Sequence, residues 1–428
     1  MRLTQVITIN PNKKTEEVLV NLSKIANGLY NSALYENAQR YKAEKKFSFY
    51  EDMCKNLKGN ELYGLLASQS AQAVLQKTEG AIKSFLALHK KDAAVGFPHY
   101  HKKNTEWVLP YKSQQIILKK DKNKITLPMS MTYRRQTGVS YISFRIPKLR
   151  YEGTLTYLEI FKSEGAWRVS LVFNVPEPEP AISKENLYID LGVKNLAAIY
   201  DGKNATLYKG GLVLAENQYK DKKVAKVQKV LSNTNKRTSK EKRRIARQAK
   251  RKIMHAIHSL TTKVVNDAKE QGKGIVVGNL TGIRKNMQFR RKTNQMNHQW
   301  LFGAIIMQLF YKANLIGVPI HQTNERCTSH VCALCGSHKN RKDTRRKDNG
   351  CRRIKRGLYR CKLYNVVYNA DAGGALNIQK KYLRVPLSKG SGIGVVDVLA
   401  RPAVFHWNEH EWLDENLLVR ETTSVVNS

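Results

Sequence analysis

Residues 176–180 read Pro-Glu-Pro-Glu-Pro, and no regular element crosses such a run. Each proline locks φ and removes a backbone donor, so the segment is a stiff extended linker. The chain is therefore divided near its middle. At 428 residues it is long enough for about two to four structural units. With 41% hydrophobic residues it can bury real cores. The two sides of the linker read differently. Upstream, residues 1–9 alternate like a short strand, closed by Asn10-Pro11-Asn12. Val18, Leu19, Leu22, Ile25, Ala26 and Leu29 then fall at helical spacing, with Thr15-Glu16-Glu17 as the helix start. A second helix is expected over 61–89. Runs at 107–110, 116–118, 125–127, 141–146, 155–160 and 167–175 alternate like a half-exposed antiparallel sheet or barrel.

Downstream, Leu187-Tyr-Ile-Asp-Leu-Gly-Val193 is a buried strand ending in a turn. Short strands follow at 197–200 and 205–208. Ten of the seventeen residues 236–252 are lysine or arginine, and a helix continues through Ile253, Ile257, Leu260, Val264 and Val265. A strand at 274–280, a helix at 300–314 and a strand at 318–321 come next. A cysteine-bearing loop occupies 327–361, and a last helix starts near Asn369-Ala-Asp371. Three strands, helix, strand, helix, strand, helix is the order of an RNase H-like domain. In that fold, carboxylates from different elements gather around metal ions.

Lysine and arginine total 75 against 34 acids, a net charge of +41. That excess repels itself unless a polyanion neutralises it, and its spread along the chain favours nucleic acid over a membrane surface. No apolar run reaches the length of a membrane span, and the first residues lack a secretory apolar stretch. The expected location is cytoplasmic, at the nucleoid. The dense run supplies candidate phosphate contacts at Lys236, Arg237, Lys240, Lys242, Arg243, Arg244, Arg247, Lys250 and Arg251. Arg284, Lys285, Arg290 and Arg291 extend the set through a stretch, 271–324, that holds no Asp or Glu. His99, Tyr100, His101, Lys102, Lys103 and Trp107 mix aromatics with cations, as surfaces near RNA do.

Asp190 is an acid flanked by apolar strand residues, as a metal ligand or a strand-end turn aspartate would be. Asp371 sits among small residues that let a helix approach a sheet, as a ligand, a helix N-cap or a first-turn acid would. Together, Ile189-Asp-Leu-Gly-Val-Lys194 and Asn369-Ala-Asp-Ala-Gly-Gly-Ala-Leu-Asn-Ile378 resemble the first and third RuvC motifs of the TnpB family. These are transposon-encoded, RNA-guided nucleases related to type V CRISPR effectors. Thr328-Ser-His-Val-Cys-Ala-Leu-Cys-Gly336 and Arg356-Gly-Leu-Tyr-Arg-Cys361 resemble the segments of the family's zinc ribbon. The specific match covers about residues 186–380.

The resemblance implies a multidomain α+β chain. A β-barrel-like wedge domain with a helical recognition insertion precedes an RNase H-like (RuvC) α/β domain carrying an inserted zinc-ribbon-like loop. The implied layout is wedge strand 1–12, helical recognition domain 13–92, wedge strands 93–180 and RuvC-like domain 181–326. A target-nucleic-acid-binding insertion at 327–368, the last RuvC helix at 369–382 and a tail at 383–428 complete it. The implied function is guided DNA cleavage beside a short adjacent motif. The implied cofactors are Mg²⁺, guide RNA from the chain's own transposon end and, at the ribbon, zinc. Double-stranded DNA is the target, and the chain works as a monomer or homodimer with no membrane partner.

Two departures put this in question. Many members carry a glutamate on the fourth strand, where this chain has Gly278 in Ile275-Val-Val-Gly-Asn-Leu. Glu325, just after the fifth strand, is the candidate replacement, so Asp190, Glu325 and Asp371 form the expected Mg²⁺ set; otherwise Glu325 is a surface acid beside Arg326. The second Cys-x-x-Cys of the ribbon is broken to Cys361-Lys-Leu-Tyr364. Cys351 could complete a zinc set with Cys332, Cys335 and Cys361, with Cys327, His330 and His338 as further candidates. Alternatively, the ribbon is degenerate and held by packing. The competing function is a nuclease-inactive, RNA-guided DNA-binding repressor.

Overall fold

The computed structural model describes residues 1–234, 236–280, 294–295, 300–337, 351–355 and 357–415. Arg284, Lys285, Arg290, Arg291 and His338 lie outside the described residues. Contacts divide the chain into two units, Met1–Pro176 and Glu177–Ser428, and the boundary falls at the proline run.

In the first unit, β1 (Arg2–Ile9) alternates exposed and buried at every residue, the period of a half-buried strand. Asn12 then caps α1 (Lys13–Glu44), its Oδ1 accepting from the Thr15 N–H at 2.8 Å. The helix starts before Thr15 because asparagine satisfies a free first-turn donor there. Val18, Leu19, Leu22, Ile25, Ala26 and Leu29 form its buried face, as their spacing predicts. A short α2 (Tyr50–Asn56) follows, and then two helices instead of one: the short α3 (Glu61–Leu65) and the longer α4 (Ser68–His89). Leu66 and Ala67 take extended backbone, with ψ of 148° and 134°, and break the run expected over 61–89. β2 (Leu109–Lys112), β3 (Ile117–Lys119), β4 (Lys124–Pro128), α5 (Met131–Thr137), β5 (Tyr141–Arg145), β6 (Thr154–Ser163) and β7 (Ala166–Asn174) complete the unit. The strands form two antiparallel sheets, β1-β7-β6-β2 and β3-β4-β5. The aromatics after Phe97 pack inward in part. His101 stacks on Tyr30 at 4.4 Å and Trp107 lies 5.0 Å from His101, while Tyr100 is exposed.

The second unit opens with β8 (Asn186–Asp190), β9 (Asn195–Tyr200) and β10 (Ala205–Lys209). Then come α6 (Gly211–Ser232), α7 (Lys240–Glu270), β11 (Gly274–Asn279), α8 (Phe302–Ile316) and β12 (Ile320–Asn324). β13 (Arg352–Lys355), β14 (Leu358–Cys361) and β15 (Val366–Asn369) form a small antiparallel sheet of their own. The last elements are α9 (Ala370–Tyr382), α10 (Val396–Ala400), β16 (Ala403–Trp407) and β17 (Trp412–Asp414).

The main sheet has seven strands in the order β12-β11-β8-β9-β10-β16-β17. β9 is antiparallel to β8 and β10, whereas β11 and β12 run parallel to β8. Its first five strands in chain order therefore lie 3-2-1-4-5. The segment read as a tail supplies β16 and β17, where Trp412 meets Tyr208 edge-on at 5.2 Å. Two faces follow from the period of two. Leu187, Ile189, Ile275 and Val277 pack with α7 and α8 side chains such as Ile257, Leu260 and Leu309. Tyr188 and Val276 pack on the other face with Ala372, Ala375 and Ile378 of α9. Asp190 and Gly278 belong, by alternation, to the α9 face. Among the described residues, no helix is long and apolar enough to cross a membrane.

Candidate active site and metal centre

Three carboxylates converge where α9 crosses the C-terminal ends of the central strands. Asp190 is the last residue of β8. Asp371 stands in the first turn of α9, and Asn369 rather than Asp371 caps that helix, accepting from the N–H groups of Asp371 and Ala372 at 3.0 and 3.1 Å. Asp371 is thus released from the capping role its sequence position suggests. Asn195, at the start of β9, donates through Nδ2 to Asp371 Oδ2 at 2.7 Å and orients that carboxylate. Asn195 was invisible to sequence reasoning, because a polar residue opening a strand carries no distinctive pattern.

The helix reaches the sheet because Gly373 and Gly374 lack side chains. A Cβ on Gly374 would overlap Asp190 Oδ2, and one on Gly373 would meet the Tyr368 ring and Ala333. The same test at Gly278 is the most informative. A Cβ there would overlap Glu325 Oε2 and lie 3.3 Å from Ile378. The carboxylate of Glu325 therefore fills the space in which a side chain from position 278 would begin. Its Oε2 is buried without a hydrogen-bond partner. A surface acid paired with Arg326 would not bury that oxygen.

The electrostatics agree with the geometry. Burial, then the charges of Glu325 and Asp371, push Asp190 well above the ordinary carboxylate range, with Arg353 of β13 opposing. Burial raises Glu325 to about 7. Like charges desolvated together favour protonation unless a cation neutralises them.

The loop at 327–361 gathers a second group. The sulfurs of Cys332, Cys335, Cys351 and Cys361 all lie within 4.8 Å of one another. Cys335 and Cys351 are 3.5 Å apart and Cys351 and Cys361 3.9 Å, so these are not disulfides. Zinc–sulfur bonds of about 2.3 Å in a tetrahedron would set sulfurs about 3.8 Å apart. Cys351, just before β13, takes up the place that the broken second pair leaves open. The first knuckle is intact: Gly336 N–H donates to Cys332 O at 2.9 Å, and Gly336 adopts φ +70°. Burial raises Cys335, but hydrogen bonds from Ser337 outweigh it and leave the thiol at about 7. Cys327 and His330 are not part of this group.

On α7, Ile245, Ala249, Ile253, Ala256, Ile257 and Leu260 make the buried stripe. Lys240, Arg243, Arg244, Lys250 and Arg251 are exposed, Lys242 and Arg247 are half-buried, and Lys236 and Arg237 are exposed just before the helix. Arg244 is held by Glu241 at 2.7 Å. Of the expected phosphate contacts, Lys240, Arg243, Arg244, Lys250 and Arg251 share one solvent-facing side of a long helix.

Comparison with known proteins gives consistent matches. A family model described as a probable transposase matches residues 170–284, and a Cas12f1-like TNB domain model matches 302–378. A TnpB-like protein of Acidianus two-tailed virus is 23% identical over 432 residues, covering 91% of this chain and 88% of that protein. A CRISPR-associated endodeoxyribonuclease, Cas12f2, of a Micrarchaeota archaeon is 29% identical over 209 residues, 46% of this chain and 37% of that protein. Among solved structures, Cas12f1 in its complex with sgRNA and target DNA superposes with a TM-score of 0.60 at 16% identity. That match covers 86% of this chain and 82% of that one, and shows a shared fold. Motifs, family models and relatives agree with one another and support a TnpB family protein.

Proposed function

We propose that this chain is an RNA-guided DNA endonuclease of the TnpB and Cas12 type, cutting with Mg²⁺ at a single RuvC site made by Asp190, Glu325 and Asp371. The observation that carries the reading is the Glu325 carboxylate filling the space beside Gly278. The 3-2-1-4-5 strand order supports an RNase H-like assignment. The unpartnered, buried Glu325 Oε2 and the crowded carboxylates fit divalent cations. Bound Mg²⁺ supplies activation of a water and stabilisation of the leaving phosphate oxygen. Asp190 and Glu325 would give up their protons on binding the cation, and Asn195 would hold Asp371 toward it. The exposed cations of α7 would grip RNA or DNA phosphates without reading sequence. Sequence would be read by guide pairing, with a short adjacent duplex motif read by the protein. The guide would come from the chain's own transposon end, and the working unit is a monomer or homodimer.

The two features behind the binding-only alternative each have a compensation: Glu325 for Gly278, Cys351 for the broken ribbon pair. The deciding experiment is cleavage of a matched plasmid by the protein with its own RNA and Mg²⁺. Glu325→Ala should lower the cutting rate at least about a hundredfold while guided DNA binding persists. Wild-type protein that binds and never cuts would favour the repressor. Normal cutting by Glu325→Ala would require a different third ligand.

A further inference from the structure

Lys380 is a buried lysine that the carboxylate site does not use. It lies in the last turn of α9 and is only 6% exposed. Its ammonium donates to Ala333 O at 2.9 Å and to Lys389 O at 3.0 Å. Those carbonyls satisfy two of its three donors but bring no negative charge. Burying an ammonium without a counter-charge is unfavourable. Among the described residues, no carboxylate forms an ion pair with it. Burial pushes its pKa down, and the sulfurs of Cys332 and Cys335 pull it back up.

Four thiolates around a divalent zinc carry a net charge of about −2. A centre of that charge, with Cys332, Cys351 and Cys361 buried, needs a cation nearby. We propose that Lys380 is the counter-ion of a tetrathiolate metal centre at Cys332, Cys335, Cys351 and Cys361, and the positioning residue that fixes its first knuckle to α9. Ala333, which accepts from Lys380, directly follows Cys332, and its N–H donates to the Tyr368 hydroxyl, which in turn donates to Cys332 Sγ at 3.5 Å. The knuckle is thereby clamped from two sides.

The clamp reaches the carboxylates. Asn377 of α9 donates to Thr328 O at 2.8 Å and Val331 O at 3.0 Å, and Thr328 donates back to Glu325 O through its N–H and hydroxyl. One helix therefore holds Asp371 at its start and the cysteine loop at its end. The proposal depends on the cluster's holding a metal, not on the nuclease reading, and its test measures metal rather than cleavage.

Zinc-loaded full-length protein, with its RNA, is compared as wild type, Lys380→Met and Lys380→Gln. Zinc release to an excess of a chromogenic chelator is followed in time. Both variants should release zinc at least about tenfold faster, the scale of lost support around a metal ligand. In the cobalt-substituted proteins, the thiolate-to-metal charge-transfer bands should move to lower energy in both variants, because removing a cation raises the sulfur electron levels. Lys380→Gln keeps a donor toward Ala333 O, so wild-type behaviour of Gln with only Met impaired would overturn the charge assignment. Wild-type release and spectra in both variants, or wild-type protein without bound metal, would also overturn it. If Lys380→Met does not fold, Lys380→Gln alone decides.

Discussion

Gly278 has no side chain, yet its substitution is expected to stop cleavage. A methyl there would overlap Glu325 Oε2, the far end of a flexible side chain. The glutamate can swing away at little cost to folding, so Gly278→Ala should lose little thermal stability and most of its Mg²⁺-dependent cutting. In a Glu325→Ala background that clash is gone, and Gly278→Glu should restore cutting if both positions serve one metal site. Parallel melting curves and cleavage rates check both. A pH effect follows from the same residue. Burial raises Glu325 from 4.5 to about 7, so between those values the folded chain holds a proton that the unfolded chain releases. Its contribution to stability is full below about 4.5 and is lost as pH rises through about 7. A divalent cation takes over from that proton. Mg²⁺ should therefore raise Tm more at pH 8 than at pH 5.5, and the difference should shrink in Glu325→Gln. Asp190 and Asp371 were legible as strand-end and helix-start acids in recognisable motifs. Asn195 and Lys380 were not, because what distinguishes them is the atom each side chain faces.

At the scale of elements, α7 has one apolar stripe and one cationic side. Each neutralised phosphate contributes a fixed amount to the salt dependence of nucleic-acid binding, about −0.7 to −0.9 in the log–log slope. Replacing Lys240, Arg243, Lys250 and Arg251 by glutamine should flatten that slope for guide RNA; an unchanged slope would make this side of α7 a solvated surface. The cysteine loop gives a contrast. Cys332 is wholly buried within the four-sulfur group, whereas Cys54 stands alone in α2. Cys332→Ser should abolish zinc binding, read by elemental analysis, and lower Tm more than Cys54→Ser. Periodicity disclosed α1 and α7 because their apolar positions recur at helical spacing. It missed α6, which buries only Val213 and Leu231, and it merged α3 with α4, because the break at Leu66–Ala67 contains neither proline nor glycine.

For the whole molecule, the net charge of +41 is an unfavourable self-interaction in the absence of a polyanion. Bound RNA should raise Tm, and the gain should diminish as salt is increased from about 0.1 to 1 M, where the screening length falls from about 10 to 3 Å. A gain independent of salt would argue against phosphate contacts as its source. The sequence by itself determined the division at the proline run, the succession β8, β9, β10, α7, β11, α8, β12 and α9 beyond it, the charge and the residue types that can bind metal. Those properties are local: proline geometry, period and composition act within a few residues. Only the tertiary structure decided that the Glu325 carboxylate fills the space beside Gly278, that the sulfur of Cys351 lies with those of Cys332, Cys335 and Cys361, and that residues 403–414 extend the sheet beyond β10. Each of these joins residues far apart in the chain. Gly278 and Glu325 meet because β11 and β12 run parallel in one register, with Gly278 beside Thr323, and that register is set by packing on both faces of the sheet.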